Sequence, residues 1–136
     1  MKPIRIILHH SLTKDGKTVS WNAIRQYHLN KGWDDIGYHF GIELVGNHYE
    51  ILVGRLPNEI GAHCRGMNKA SLVICFIGNF DIEEPPEEQL IVGRRLVRSL
   101  MEIFDISRER VKGHNEYSQK SCPGKKFPLG EFIRGL

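Results

Sequence analysis

The run Ser71-Leu72-Val73-Ile74-Cys75-Phe76-Ile77, closed by Gly78-Asn79, holds its apolar character without alternation. A strand with one wet face alternates polar and apolar residues, so an unbroken run between turn residues reads as a strand covered on both faces. Such a strand requires other layers on either side, and the flanking sequence supplies them. Upstream, Ile4-Arg5-Ile6-Ile7-Leu8 forms a second buried strand that stops at His9-His10-Ser11. Downstream, the acidic stretch Asp81 to Glu88 contains Pro85-Pro86. Carboxylates oppose the positive end of a helix dipole and proline fits a first turn, so a helix begins there.

That helix carries a stripe of Leu90, Gly93, Val97, Leu100, Met101 and Phe104, with Arg94, Arg95 and Arg98 facing outward. Gly93 costs about 1 kcal/mol against alanine in such a position, which implies a close packing contact. A short strand is expected around Arg110-Val111-Lys112, and a last helical turn or two over Pro128 to Arg134.

Between the two buried strands, the segment from Leu12 to Val19 reads as a surface loop with its turn at Lys14-Asp15-Gly16-Lys17. Ser20 offers an N-cap to a helix bearing Trp21, Ile24, Tyr27 and His28, and Gly32 stands where a C-terminal stop belongs. His28 is expected at the rim of that helix's core face. Tyr38, Phe40, Ile42 and Leu44 share one parity, and Gly46-Asn47 then leads into His48-Tyr49-Glu50-Ile51-Leu52-Val53, a hairpin pattern. From Gly54 to Lys69 the periodicity dissolves, and loops of this length in compact domains tend to carry function. The order strand, helix, hairpin, strand, helix, strand predicts an α/β fold: a central mixed β-sheet flanked by about three helices.

The chain has 136 residues with 40% hydrophobic and 26% charged, which suits one domain over residues 1–136. A formal charge of +3 is too modest for a nucleic-acid surface, so no nucleic-acid partner is expected. The chain is expected to be a monomer. Cys64, Cys75 and Cys122 are odd in number and widely spaced, which argues against a disulfide framework and for synthesis in a reducing cytoplasm. The apolar run after Lys2 is too short for a signal-peptide core, and no stretch approaches the 18 or so apolar residues of a membrane span.

Three residues stand out chemically. His9 ends a buried strand, and His114 and Cys122 lie in the loop His114-Asn115-Glu116-Tyr117-Ser118-Gln119-Lys120-Ser121-Cys122-Pro123. Imidazole and thiolate both suit zinc, and a His/His/Cys set with an open fourth position is typical of catalytic sites. A cysteine before proline also reads as a small buried hydrophobe, and the residues alone leave both readings open.

These stretches together resemble the zinc amidases of the bacteriophage T7 lysozyme type and the related peptidoglycan recognition proteins. The resemblance runs over Leu8-His9-His10-Ser11, Gly32-Trp33-x-Asp35-Ile36-Gly37-Tyr38-His39-Phe40, Gly61-Ala62-His63-x-x-Gly66-x-Asn68-x-x-Ser71, Phe76-Ile77-Gly78-Asn79-Phe80 and His114-Asn115-Glu116 with Lys120-x-Cys122-Pro123. It implies one zinc ion on His9, His114 and Cys122, with Tyr38 and Lys120 as catalytic residues. The activity it implies is hydrolysis of the amide between the lactyl group of N-acetylmuramic acid and the first L-alanine of the peptidoglycan stem peptide. Trp33, His63 and Asn68 sit in loops expected to line a saccharide-peptide groove. Met67 departs from the tyrosine that many members carry before the loop asparagine. The missing signal favours a phage lysin that reaches the cell wall through another protein's pore. The alternative is a recognition domain that binds peptidoglycan without cleaving it.

Overall fold

The computed structural model describes residues 1–13 and 20–136; the expected turn at Lys14-Asp15-Gly16-Lys17 lies outside them. Among the described residues, five strands form one sheet: β1 Arg5–His10, β2 Phe40–Val45, β3 His48–Val53, β4 Ser71–Phe76 and β5 Val111–Gly113. Their order is β3-β2-β4-β1-β5. β4 and β5 run parallel to β1, β2 runs parallel to β4, and only the β2–β3 hairpin is antiparallel. The sheet is therefore mixed, as expected, and every residue of β4 is buried.

Among the described residues, three α-helices cover it: α1 Trp21–Asn30, α2 Glu87–Phe104 and α3 Leu129–Arg134. Ile6, Leu8, Ile42, Leu72, Ile74 and Phe76 pack with Leu90, Val97 and Leu100 of α2 and with Phe127 and Phe132 in one apolar cluster. On the other face, Cys75 and Ile77 meet Trp21 and Ile36. Side chains alternate across a strand, so His9, one step beyond Leu8 and in register with Cys75, belongs to the α1 face.

The caps follow the local chemistry. Ser20 Oγ accepts the Ala23 amide, and the chain leaves α1 through Gly32 at φ +88°. Pro86 precedes α2, with Glu87 and Glu88 in its first turn. Gln89 interrupts the apolar reading of this helix. It is fully buried, and its Nε2 donates to the carbonyl of Ile77 and, beside the Ile77 amide, to that of Ile42, tying α2 to the end of the sheet.

Three expectations change. His28 is buried rather than at a rim, because its Nδ1 accepts the Gly37 amide at 2.9 Å. Arg94 does not face outward: its guanidinium lies over the Phe132 ring, 5.2 Å from the centroid. Tyr38 breaks the parity of Phe40 and Ile42, since the strand starts only at Phe40 and Tyr38 packs on the α1 face. The intervening His39 is fully buried. It accepts the Val73 amide on Nδ1, so its Nε2 carries the hydrogen and donates to Glu59 O at 2.8 Å.

Gly93 faces Phe76 as the sequence implied: a Cβ there would come within 2.5 Å of the ring. Phe76 is in turn boxed by the rings of Phe127 and Phe132. Gly93→Ala adds about 1 kcal/mol of helix propensity but meets a ring that has nowhere to go, an overpacking cost of about 1–3 kcal/mol. We expect a lower urea midpoint for this variant; an unchanged or raised midpoint would show that the ring yields.

Candidate metal centre and cleft

The carboxyl ends of β1 and β5 lie side by side, because Leu8 pairs with Gly113. His9 therefore leaves β1 beside His114, the first residue of a 3₁₀ turn spanning His114–Glu116, and their rings stack with centroids 4.2 Å apart. Cys122 returns to the same point, where its Sγ accepts the His10 amide at 3.4 Å. The ligand atoms of His9, His114 and Cys122 lie within 4.8 Å of one another, and all three residues are buried.

The donor set fits zinc. Burial holds His9 well below its usual pKa, helped by His63 and His114, and burial also lowers His114. Both rings are neutral, the form that ligates. Burial pushes the Cys122 thiol up to about 12, and a divalent cation is the partner that reverses this by drawing the thiolate onto itself. Ligand atoms around tetrahedral zinc stand about 3.3–3.8 Å apart for bond lengths of about 2.0–2.3 Å, so small side-chain rotations close the set. His10 points to the opposite face, with Nδ1 accepting the Phe80 amide.

The loop that carries Cys122 is tied down from several sides. Asn115 N–H donates to Cys122 O, Lys126 N–H to Phe80 O, and Asp81 accepts from both Ser121 Oγ and the Lys125 amide at 2.9 Å. Those two bonds, the amide first, hold the Asp81 carboxyl below its usual pKa. Sequence reading assigned Asp81 only to the acidic lead into α2. Its clamp on the cysteine loop spans 40 residues, which no local pattern reveals.

A cleft of about 580 Å³ lies on the α1 face, lined by Trp33, Tyr38, His63, Asn68 and Lys120 among others. All five residues expected for catalysis and substrate contact thus meet in one place. A hollow of about 280 Å³ joins it at Tyr27, His28 and Tyr38. The Tyr38 ring stands 5.6 Å from that of His9. Burial, then the Cys75 and Cys122 thiols, hold its phenol well above the usual value, so Tyr38 keeps its hydroxyl hydrogen. Lys120 is exposed at the cleft's edge. Lys31, which sequence reading passed over, lies over the rings of both Tyr27 and Trp33. Lys31, Arg65 and Lys120 line the cleft, and no carboxylate does among the described residues.

Two expected contacts are used inside the protein. Asn68 Oδ1 accepts the amides of His63 and Cys64, and His63 Nδ1 lies 3.1 Å from His9 Nε2. All three cysteines are free.

A mixed five-stranded sheet with a His/His/Cys set at the carboxyl ends of its parallel strands defines an α/β fold with a candidate three-ligand metal site. The family model for N-acetylmuramoyl-L-alanine amidase matches residues 1–125, and the chain belongs to that family. It is 31% identical over 121 residues to the endolysin of Escherichia phage T7, covering 87% of this chain and 78% of the phage protein. It is 33% identical over 128 residues to peptidoglycan-recognition protein LB of Drosophila melanogaster, covering 88% of this chain and 53% of that one. Among solved structures, the N-acetylmuramoyl-L-alanine amidase LysC from Clostridium intestinale superposes with a TM-score of 0.88 at 32% identity, covering 99% of this chain and 85% of LysC. Bumblebee peptidoglycan recognition protein SA gives 0.81 at 33% identity, covering 100% and 83%.

Cys122→Ser replaces a thiolate by a poor hydroxyl ligand in a site closed by only three residues. We expect the purified variant to hold far less zinc than the parent at equal low free zinc while keeping its fold by circular dichroism. Equal zinc content would remove Cys122 from the ligand set.

Proposed function

We propose that this chain is a zinc-dependent N-acetylmuramoyl-L-alanine amidase of the phage endolysin type. It cleaves the amide between the lactyl group of N-acetylmuramic acid and the L-alanine of the stem peptide. The observation that carries this reading is the gathering of the His9, His114 and Cys122 ligand atoms within 4.8 Å of one another, with the His9 ring 5.6 Å from that of Tyr38, which lines a cleft together with Lys120. His9, His114 and Cys122 would hold one zinc ion, which supplies Lewis acidity and a nucleophile at neutral pH when bound.

The chain's own side chains do the rest. Tyr38 keeps its proton and donates it in a hydrogen bond as negative charge builds on the scissile carbonyl oxygen. Lys120, two residues before Cys122, brings an ammonium to the same oxygen from the cleft edge. Trp33 presents an aromatic face to saccharide, while the Asn68 amide nitrogen and His63 stand along the peptide path. Lys31 and Arg65 give the cleft positive potential, suited to a stem peptide with its carboxylates. Among the described residues no helix is long and apolar enough to cross a membrane. The protein acts as a monomer on the cell wall, reached by release or delivery from the cytoplasm. A binding domain without catalysis needs neither an open metal position nor a donor and a cation beside it, so the complete set favours the enzyme.

Digestion of purified sacculi decides the bond. The expected products are glycan strands with intact N-acetylmuramic acid and peptides beginning with free L-alanine, by mass spectrometry, abolished by a chelator and restored by zinc. Glycan fragments with new reducing ends, or no product, would sink the assignment. For Tyr38→Phe we expect kcat to fall by roughly 10²–10³ with zinc content and melting temperature near the parent's, the loss typical of one oxyanion donor. Near-parental turnover would reduce Tyr38 to packing.

A further inference from the structure

The geometry points to His63 as a positioning residue for His9: the His63 Nδ1 lone pair accepts the His9 Nε2 hydrogen, which leaves the His9 Nδ1 lone pair to meet the metal. The inference rests on the zinc reading above and assigns the ligating atom within it. His9 Nε2 and His63 Nδ1 stand 3.1 Å apart, with the rings edge to face at 76°. Two neutral imidazoles share one hydrogen across such a contact, and only one arrangement leaves His9 able to ligate. If His63 were the donor, its hydrogen would occupy the His9 Nε2 lone pair while His9 Nδ1 carried the other hydrogen, and no free lone pair would remain. With His9 as donor, Nδ1 is free and the ring is pinned in orientation, the role that a carboxylate or carbonyl plays behind many metal-bound histidines.

His63 is itself held in place. Its amide and that of Cys64 both donate to Asn68 Oδ1, at 2.9 and 3.0 Å. Just before it, the Ala62 amide donates to Gly37 O, and a Cβ on Gly61 would lie 3.1 Å from the His39 ring. His39 in turn donates to Glu59 O. The loop from Gly54 to Lys69 is thus fastened at Glu59 and Ala62 to the segment that carries Tyr38, and His63 is held within the loop by Asn68. The remaining ring nitrogen of His63, Nε2, is buried with no hydrogen-bond partner among the described residues. The protein therefore retains an imidazole where a hydrocarbon would fill the space without an unpaired polar atom, and the contact to His9 is what the imidazole supplies.

The test uses zinc-loaded protein and does not depend on turnover. Long-range proton–nitrogen correlation of the His9 ring should show the hydrogen on Nε2 and a metal-shifted Nδ1. Zinc dissociation constants are then read by competition with a chromophoric chelator for His63→Leu and His63→Asn, with melting temperatures as the fold control. His63→Leu should weaken zinc binding by about 10–100-fold. His63→Asn should stay within about threefold of the parent, because its Oδ1 can stand where Nδ1 stood and accept the same hydrogen. Zinc bound through His9 Nε2, parental affinity in His63→Leu, or an equal loss in both variants would each overturn the assignment. A parent that binds no zinc would overturn it together with the zinc reading, whereas zinc held through the wrong nitrogen overturns it alone.

Discussion

A single backbone contact across 112 residues organises the site: the amide of His10, at the end of β1, donates to the sulfur of Cys122 near the other end of the chain. It brings the third ligand to a strand end where His9 and His114 are already neighbours through the β1–β5 pairing. Everything around it serves to keep a thiol and two imidazoles together in a place where none of them can easily carry charge. Burial opposes protonation of the rings and ionisation of the thiol alike, so the cluster is set up for a cation to supply the balancing charge. A sheet buried on both faces makes that desolvation possible.

The electrostatic contrast between centre and cleft has a mechanistic consequence. The centre is buried and uncharged apart from whatever cation it holds, while the cleft wall presents Lys31, Arg65 and Lys120. In the proposed reaction an anionic stem peptide would be drawn to the wall. Its amide would then enter the poorly solvated region beside Tyr38, where a single hydrogen bond to developing charge is worth more than in water. His28 helps build that region. Its ring lies 4.5 Å from Trp33 and 5.4 Å from Tyr38, and it fixes the Gly37 amide between them.

Most of the architecture was legible from pattern. The unbroken apolar run at Ser71–Ile77 announced a strand covered on both faces, and Ser20, Gly32, Gly46 and the acidic lead into α2 marked boundaries through their own chemistry. His9 was legible because a histidine ending a buried strand has few reasons to be there. Contacts between loops were not legible. The clamp of Asp81 on Ser121 and Lys125, the His63 contact to His9 and the use of Asn68 inside its own loop join segments without periodicity, where sequence shows which residues are present but not what they touch. Gln89 and Arg94 escaped for another reason. Each is polar by type yet placed on a packed surface, Gln89 by two backbone carbonyls at the sheet end that its Nε2 reaches and Arg94 by an aromatic ring. Tyr38 was named by resemblance, but its alternation was misread because the backbone turns at His39 before the ladder begins.

The central claim is that two imidazoles and one thiolate from His9, His114 and Cys122 hold a single zinc ion with a fourth position left open. X-ray absorption at the zinc edge on protein that digests sacculi reads this directly. The account predicts one sulfur at about 2.3 Å and three lighter atoms at about 2.0–2.1 Å, two of them with the outer-shell scattering of imidazole. A zinc shell without sulfur, with two sulfurs, or with three imidazoles would contradict it.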